Sequence, residues 1–262
     1  MVEDGQNLKK GSTMRLAQIL NRTLKRSGFY DYVTLNRDAW ISDQAQLIAP
    51  GSRVLDVGAG SCPYRQLFTH CDYMTQDFGG LEQLQLRDGG YGKIDYSCDA
   101  TEIPAPDGYF DAILCTEMLE HVPNPIAVVG ELGRLLRPGG TLILTAPLGS
   151  GIHQEPYHYY GGYTPYWYKK FLEESGFTTI SVMPNAGSIR MFGWESIRFM
   201  RLTSPVALNA PLLVRMAWAI PWLFALPFLA GLIPVMSHFL DRYDTEQRFT
   251  AGYHVLAIKG PS

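Results

Sequence analysis

The sequence predicts an α/β protein of three layers, in which helices cover both faces of a mostly parallel sheet. Short apolar segments with strand character alternate with segments of helical periodicity from residue 53 onward. The first of these strands runs directly into a glycine turn, Gly58-Ala59-Gly60. Because parallel strands need crossover connections, this alternation is typical of a sheet with helices on both sides.

Five strands follow one another along this region. They cover residues 53–57, 73–76, 94–98, 110–115 and 141–145. A turn over residues 137–140 precedes the fifth strand. Apolar residues at helical spacing predict a helix over 126–136, and Thr164 before Pro165 predicts the start of another helix, which ends at Gly176.

Composition excludes several classes of protein. The 262 residues include 22 Lys and Arg against 25 Asp and Glu, a formal net charge of −3 that disfavours a nucleic-acid binder. A hydrophobic content of 46% and a charged content of 18% exclude a disordered chain. The four cysteines show no CxxC or CxxH spacing, so reduced thiols in a cytosolic protein are expected and a disulfide scaffold is not.

Three acidic residues come directly after predicted strands, where ligands of such sheets bind. Asp77, Asp99 and Glu117 follow the second, third and fourth strands. The dinucleotide fingerprint needs a glycine three residues after Gly60, but Pro63 stands there. A carboxylate just before the turn, at Asp56, also favours a cationic ligand over a pyrophosphate. A nicotinamide-dependent oxidoreductase is therefore the alternative and not the leading interpretation.

Longer motifs resemble a known family. The segments VLDVGAG, CDATEIPAPDGYFDAILCTEMLEHV and LLRPGGTLILTAPL, with Asp77 between the first two, resemble the class I, seven-stranded Rossmann-like methyltransferases that use S-adenosylmethionine. The type 11 small-molecule branch is the most similar, over about residues 49–183. The resemblance implies seven strands with an antiparallel last strand. It also implies methyl transfer to a small molecule by in-line displacement. Because an apolar segment follows the core, we expect O- or C-methylation of a small or lipid-linked apolar acceptor.

The resemblance also places nine residues around the cofactor. They are Asp56, Gly58, Ala59, Gly60, Asp77, Phe78, Asp99, Ala100 and Thr116. Among them, Asp77 would accept hydrogen bonds from both ribose hydroxyls, Phe78 would lie against adenine, and Asp99 would accept from the adenine amino group. A carboxylate suits a diol because it only accepts hydrogen bonds and has two oxygens. The alternative for each acid is a helix cap.

The loop after the fifth strand contains candidates for acceptor chemistry. His153, His158 and Glu117 are the candidate catalytic groups, because a hydroxyl acceptor benefits from a general base. The alternative is a packed loop with partnered histidines. His121 is expected to be structural. Metal ligation by His153, Glu155 and His158 is disfavoured, so no metal site is predicted.

An unusually apolar segment follows the predicted core. Residues 216–237 carry no charge, which reaches the length of about 20 residues that a membrane span needs. Predicted strands at 178–183 and 253–259 flank it, and one crossing would put them on opposite sides of a membrane. The segment is therefore expected to return on its own side, as a lid, a membrane-surface element or an oligomer contact.

The predicted organisation has four parts. A basic amphipathic helix occupies residues 1–29, the cofactor-binding core 30–184, the apolar helical insertion 185–245 and the final strand 246–262. The expected partners are the methyl acceptor and a membrane surface, and nucleic acid is not expected to bind. The sequence does not predict an oligomeric state. The expected location is the cytoplasm, at the cytoplasmic face of a membrane. An inactive membrane adaptor with this fold is the second alternative.

Overall fold

The computed structural model describes residues 28–261, so nearly all of the predicted helix over residues 1–29 lies outside the described residues. The chain divides into two compact units. One, the core unit, is Arg37–Asn185 with Thr250–Ser262. The other, the helical unit, contains Ala186–Phe249 together with the described residues up to Asn36.

The core unit is built on one seven-stranded sheet, as predicted. The strands are β1 Arg53–Val57, β2 Asp72–Asp77, β3 Tyr96–Ser97, β4 Phe110–Thr116, β5 Leu136–Pro147, β6 Phe177–Pro184 and β7 Gly252–Lys259. Their order across the sheet is β3-β2-β1-β4-β5-β7-β6. Strands β1 to β5 pair in parallel, and β7 pairs antiparallel with both β5 and β6. The predicted antiparallel last strand is therefore confirmed.

Helices cover both faces of this sheet. They are α1 Tyr32–Leu47, α2 Pro125–Leu135 and α3 Pro165–Glu174. Along β1 the side chains alternate, so Val54 packs with Ile41 of α1 on one face. Leu55 points to the other face, which it shares with Leu132 of α2. The three predicted layers follow from this alternation.

Helix starts match the capping residues in the sequence. The side chain of Thr164 accepts a hydrogen bond from the amide of Trp167 at 3.3 Å, and α3 begins at the next residue, Pro165. The side chain of Asn124 caps α2 in the same way, at 3.2 Å from the amide of Ala127. Local chemistry is sufficient to predict where these helices begin.

Two strands differ from their predicted form. β3 is shorter, because the Asp95 carboxylate accepts from the amide of Thr75 at 3.2 Å and replaces a ladder hydrogen bond there. The predicted turn over 137–140 is a bulge inside β5. Phe110 pairs with Leu136 and Ala112 pairs with Thr141, so four residues of β5 lie opposite Asp111.

The helical unit contains α4 Ser188–Leu202, α5 Leu212–Pro227 and α6 Ile233–Leu240. A π-helical segment, Phe228–Leu232, joins α5 to α6 directly after Pro227, where the missing amide disturbs the regular hydrogen-bond pattern. Helical structure therefore continues over Leu212–Tyr243. Among the described residues this is the one helical stretch that is long and apolar enough to cross a membrane, and 6% of its most apolar window is buried.

α4 and this long stretch form an antiparallel hairpin. The hydroxyl of Ser196 donates to the carbonyl of Leu229 at 2.7 Å, and the indole of Trp222 donates to the carbonyl of Met200 at 3.0 Å. A Cβ on Gly193 would overlap Ser237, so the two helices approach closely there. The hairpin connects β6 to β7, which are neighbours in one sheet.

A histidine is buried in the core unit beside the sheet. His254 of β7 stacks on Trp40 with ring centroids 4.9 Å apart, and its Nε2 atom is buried with no hydrogen-bond partner among residues 28–261. Burial, together with the positive charge of Arg37, lowers the pKa of His254 to about 4. The neutral ring is thus the form that the folded protein holds.

We expect this histidine to destabilise the protein in acid. Between pH 6.5 and 4 the unfolded chain binds a proton at His254 that the folded chain rejects, so stability falls as pH falls through this window. Relative to His254→Phe, the wild type should lose up to about 3 kcal/mol between about pH 7 and pH 4. Urea denaturation of both proteins across this range measures the difference. Parallel stability curves would contradict the prediction.

Candidate active site

The sheet contains one position at which a ligand crevice is expected. The chain passes from β1 to β2 and β3 on one side and then returns to form β4 on the other side of β1, so the strand order reverses between β1 and β4. The carboxyl ends of β1 and β4 therefore border a crevice at the edge of the sheet. The glycine turn over 58–60 follows β1, and Thr116 and Glu117 lie at the end of β4.

The glycine turn is held against the neighbouring strand and turn. The amides of Gly58 and Ala59 donate to the carbonyl of Gln76 at 2.9 and 3.0 Å. Gly58 and Gly60 have φ values of +71° and +52°, which side chains rarely allow. A Cβ on Gly58 would lie 2.4 Å from Cγ of Met118, which follows β4. Only glycine fits there without displacing that side chain.

Asp77 lies where the sequence places it, at the end of β2, and is buried. Its two carboxylate oxygens accept from the amides of Gly60 and Gly79, each at 2.9 Å. Because a carboxylate oxygen accepts more than one hydrogen bond, both oxygens keep capacity for a ligand diol. Phe78, the next residue, is 47% exposed, and its ring meets the ring of Tyr157 edge to face with the two centroids 5.0 Å apart.

Asp56 lies beneath the turn and makes a contact within the protein. Its side chain is buried, and it accepts a hydrogen bond from the hydroxyl of Tyr73. Burial, opposed by that hydrogen bond and aided by Asp77, raises the pKa of Asp56 to about 7. Its direct contact with a cofactor stays a prediction, while its position below the turn is a structural finding.

Asp99 closes a local turn. Its Oδ1 atom accepts from the amide of Thr101 at 2.8 Å and from the hydroxyl of Thr101 at 2.7 Å, and these bonds lower its pKa. No helix begins in the described residues between β3 and β4, so Asp99 is not a helix cap, and its role at adenine stays a prediction for the exposed side chain. Ala100 and Ala59 are buried, and Thr116 is half-buried.

Glu117 is held in an unusual conformation. Its φ of +48° is left-handed, which is uncommon for a residue with a side chain and is found at functional sites. The hydroxyl of Thr145 donates to Oε1 at 2.8 Å, and Nη1 of Arg37 lies 3.5 Å from Oε2. The carboxylate is thus oriented by two groups at the end of β4.

Three histidine rings lie close together near the turn that follows Glu117 in the chain. His121 follows β4 in the 3-10 turn Leu119–His121, and its ring centroid lies 4.7 Å from that of His153 and 5.6 Å from that of His158. Burial lowers the pKa of His121 to about 4 and also lowers the pKa of His158. The side chain of Glu155, which the sequence groups with the last two, is exposed outside this cluster.

The loop that carries His153 and His158 is tied by hydrogen bonds to two other segments of the core unit. The side chain of Gln85 donates to the carbonyl of Glu155 at 2.9 Å, and the side chain of Gln154 donates to the carbonyl of Gln85 at 3.0 Å. The amides of Tyr159 and Tyr160 donate to the carbonyl of Glu120. These hydrogen bonds fix the path of the loop that carries His153 and His158, and the role of the loop in acceptor chemistry stays a prediction.

Sequence reasoning missed a buried polar cluster next to Glu117. Each member has a buried polar atom without a hydrogen-bond partner among the described residues: Arg37, Trp40, Glu120, Tyr168 and His254. Burial and the nearby Glu117 raise the pKa of Glu120 well above its usual range. No motif joins these residues, because they come from α1, the turn after β4, α3 and β7, and no spacing signal could have found them.

Part of the chain matches a known protein family. Residues 55–144, about a third of the chain, match the family described as "Methyltransferase domain", of type 11. The matched segment runs from β1 to β5 and so contains the glycine turn, Asp77 and Glu117.

Two curated relatives share part of the chain. A protein named ubiquinone biosynthesis O-methyltransferase from Xanthomonas campestris pv. campestris (strain B100) is 34% identical over 109 residues, which are 38% of this chain and 45% of that protein. One of the same name from Dechloromonas aromatica (strain RCB) is 40% identical over 115 residues, or 40% of this chain and 48% of that protein. The chain thus spans about half the length of the curated relatives it matches.

A solved structure has the same fold over almost the whole chain. A SAM-dependent methyltransferase from Archaeoglobus fulgidus superposes with a TM-score of 0.53, covering 93% of this chain and 99% of that chain. The identity is 15%, so this likeness shows the fold alone.

The close approach at the glycine turn can be tested by comparing two glycines. Gly58→Ala should lower the free energy of unfolding by about 2–5 kcal/mol, from left-handed strain of about 1–2 kcal/mol and overlap with Met118 of about 1–3 kcal/mol. Gly51→Ala is the matched control, because Gly51 has a φ of +80° but no atom within 4 Å of where its Cβ would lie. Urea denaturation gives both values, and equal losses would contradict the prediction.

Proposed function

Since residues 55–144 form a methyltransferase domain of type 11, we propose that this protein transfers a methyl group from S-adenosylmethionine to a hydroxyl group of an apolar acceptor. One observation carries the proposal. A glycine turn, a buried Asp77 and an oriented Glu117 come together at the carboxyl ends of β2, β1 and β4. The names of the curated relatives favour oxygen over carbon as the acceptor atom.

The residues present fit S-adenosylmethionine better than a dinucleotide. The cofactor has a ribose diol, an adenine ring and a cationic sulfonium, but no phosphate. Asp77 keeps acceptor capacity for the diol, and the exposed ring of Phe78 is available beside it. Pro63 replaces the third glycine of the dinucleotide fingerprint, and Asp56 puts a carboxyl group under the turn.

When bound, S-adenosylmethionine supplies a methyl carbon that the positive sulfonium makes electrophilic. The glycine turn over 58–60, Asp77 and Phe78 would hold this cofactor, which would give its methyl carbon to an acceptor oxygen in an in-line displacement with sulfur as the leaving atom. The hydroxyl proton passes to a base, for which the chain offers Glu117, His153 and His158. Thr145 and Arg37 hold the Glu117 carboxylate in position, so less conformational entropy of this side chain is lost when the transition state forms.

The buried polar cluster supports a polar group on the acceptor. Unpartnered buried polar atoms are costly, about 1–3 kcal/mol each, and are rare in folded proteins. Those of Arg37 and Glu120 lie next to Glu117, where the acceptor hydroxyl has to be held. A polar head on an apolar acceptor would provide partners for them.

Methyl transfer can be measured directly. Protein mixed with methyl-labelled S-adenosylmethionine and an organic extract of membranes should move label into the organic phase. S-adenosylhomocysteine and NAD⁺ are compared in parallel by calorimetry. Binding of NAD⁺ alone would favour the oxidoreductase, and binding of S-adenosylhomocysteine without labelled product from any extract would favour the inactive adaptor.

Asp77→Asn should weaken binding of S-adenosylhomocysteine about tenfold to a hundredfold, because a charge-assisted hydrogen bond contributes about 1.5–3 kcal/mol. Asp111→Asn is the matched control. Asp111 also accepts from a backbone amide, that of Arg53 at 2.8 Å, but it lies at the start of β4, away from the crevice. Its substitution should leave calorimetric affinity unchanged, and equal losses in the two variants would contradict the assignment of Asp77.

We further propose that the helical hairpin attaches the protein to the surface of a membrane, where it meets a lipid-borne acceptor. Nineteen of the 28 exposed large apolar side chains of the described residues lie in the helical unit. Leu212, Leu213 and Val214 are consecutive and all exposed, so exposed apolar side chains extend over more than half of the helix circumference there. An oligomer contact would cover a narrower face, whereas lipid can cover the whole surface that does not pack on α4.

Charge and chemistry support the same surface. Residues 196–240 contain three arginines, Arg198, Arg201 and Arg215, and no acidic residue, which favours anionic lipid. The hairpin begins and ends on neighbouring strands, so it can enter a lipid surface and return without crossing. The four cysteines are free, in keeping with a cytoplasmic location at the inner face of a membrane.

Vesicle sedimentation tests this attachment. The protein should pellet with vesicles of phosphatidylglycerol and phosphatidylcholine. The double variant Leu213→Glu, Phe224→Glu should reduce the partition coefficient at least about tenfold, because each buried apolar side chain contributes about 1.5–3 kcal/mol. Leu84→Glu is the matched control, since Leu84 is 97% exposed but lies in the core unit. Unchanged pelleting of the double variant would contradict the proposal.

A further inference from the structure

The three histidines beside the crevice form a compact set of possible ligands. One ligand atom from each of His121, His153 and His158 can be chosen so that all three lie within 4.8 Å of one another. His121 follows β4, while the other two come from the loop after β5. The cluster is therefore a product of the fold, since one member is more than 30 residues from the others.

Hydrogen bonds set the orientation of two of these rings. Nδ1 of His121 lies 2.6 Å from the carbonyl of Tyr157, and Nδ1 of His153 lies 2.9 Å from the carbonyl of Gly151. A carbonyl only accepts, so Nδ1 carries the proton in both rings and Nε2 keeps its lone pair. Metal-binding histidines are typically oriented in this way by a backbone carbonyl.

The third ring has an unused polar atom. Nδ1 of His158 is buried and has no hydrogen-bond partner among residues 28–261. The loop that carries His158 is tied down on both sides, by Gln154 to the carbonyl of Gln85 and by the amide of Tyr159 to the carbonyl of Glu120. A tethered loop limits the entropy that is lost when a metal binds.

We propose that His121, His153 and His158 bind a divalent transition-metal ion of the Zn²⁺ class, with a fourth position open to water or another oxygen ligand. Three imidazoles suit Zn²⁺, Co²⁺, Ni²⁺ or Cu²⁺, whereas Mg²⁺ and Ca²⁺ prefer oxygen ligands. This assignment differs from the prediction of no metal, because the sequence gives no reason to group His121 with the loop.

The distances require only a modest adjustment. Zn–N bonds of about 2.0–2.1 Å in a tetrahedral site put ligand nitrogens about 3.3 Å apart. The rings therefore close by at most about 1.5 Å from a spread of 4.8 Å. His153 is exposed, so its ring has room for this movement.

The proposed metal site does not depend on the methyltransferase activity. A bound metal would, however, limit which residue can accept the proton of the acceptor hydroxyl. A metal held by three imidazoles occupies the lone pairs of His153 and His158. In the metal-bound protein the acceptor proton then passes to Glu117, the remaining candidate near the crevice.

The test uses the whole chain without a tag and Co²⁺ or Zn²⁺ as the probe, in the absence of S-adenosylmethionine and acceptor. One equivalent of Co²⁺ should bind with visible absorption bands of four- or five-coordinate geometry, and Zn²⁺ should displace it. His153→Ala should weaken Co²⁺ binding at least about tenfold and lose these bands. His70→Ala is the matched control, because His70 bonds to the carbonyl of Ile48 on another surface and should leave binding unchanged.

His121→Gln provides a second variant in which folding is checked by circular dichroism. Absence of the Co²⁺ bands in wild type, or equal binding by wild type and His153→Ala, would overturn the metal site. Because no methyl donor is present, either result leaves the methyltransferase proposal standing. Loss of labelled transfer with intact Co²⁺ binding would contradict the methyltransferase proposal alone.

Discussion

The candidate site depends on the close approach of Gly58 to Met118, which the absence of a side chain at Gly58 allows. β1 and β4 are neighbours, and their carboxyl ends border the crevice where the strand order reverses. A side chain on Gly58 would push Met118 away and move Glu117, which precedes it in the chain. The amide of Gly60 also orients Asp77, so the same turn positions groups on both sides of the crevice.

Three acidic side chains near this crevice have different hydrogen-bond donors and therefore different chemical properties. Asp77 is buried and accepts hydrogen bonds from two backbone amides, and its oxygens can still accept from a ligand. Asp56 is buried with one hydroxyl donor, and its pKa rises to about 7. Glu117 faces Arg37 and Thr145. Different donors, and not different positions in the sheet, separate their chemistry.

The insertion between β6 and β7 leaves the sheet intact for a general physical reason. Closing a longer connection costs little additional entropy, about 0.6 kcal/mol for each doubling in length. The ladder between the two strands, with pairs such as Val182 with Val255, is therefore compatible with a hairpin of more than 60 residues between them. An apolar element can be added at this point without altering the crevice at β1 and β4.

Local sequence patterns were enough to establish the layers, five of the seven strands nearly to their ends, and the starts of α2 and α3. The reason is that alternation, glycine turns and caps such as Thr164 act over a few residues. They also indicated the crevice through Asp77 and Glu117. The folded chain was needed to show that His121 meets His153 and His158, and that Arg37 faces Glu117. These contacts join residues far apart in the chain, and they depend on strand order and loop path, which local patterns do not encode.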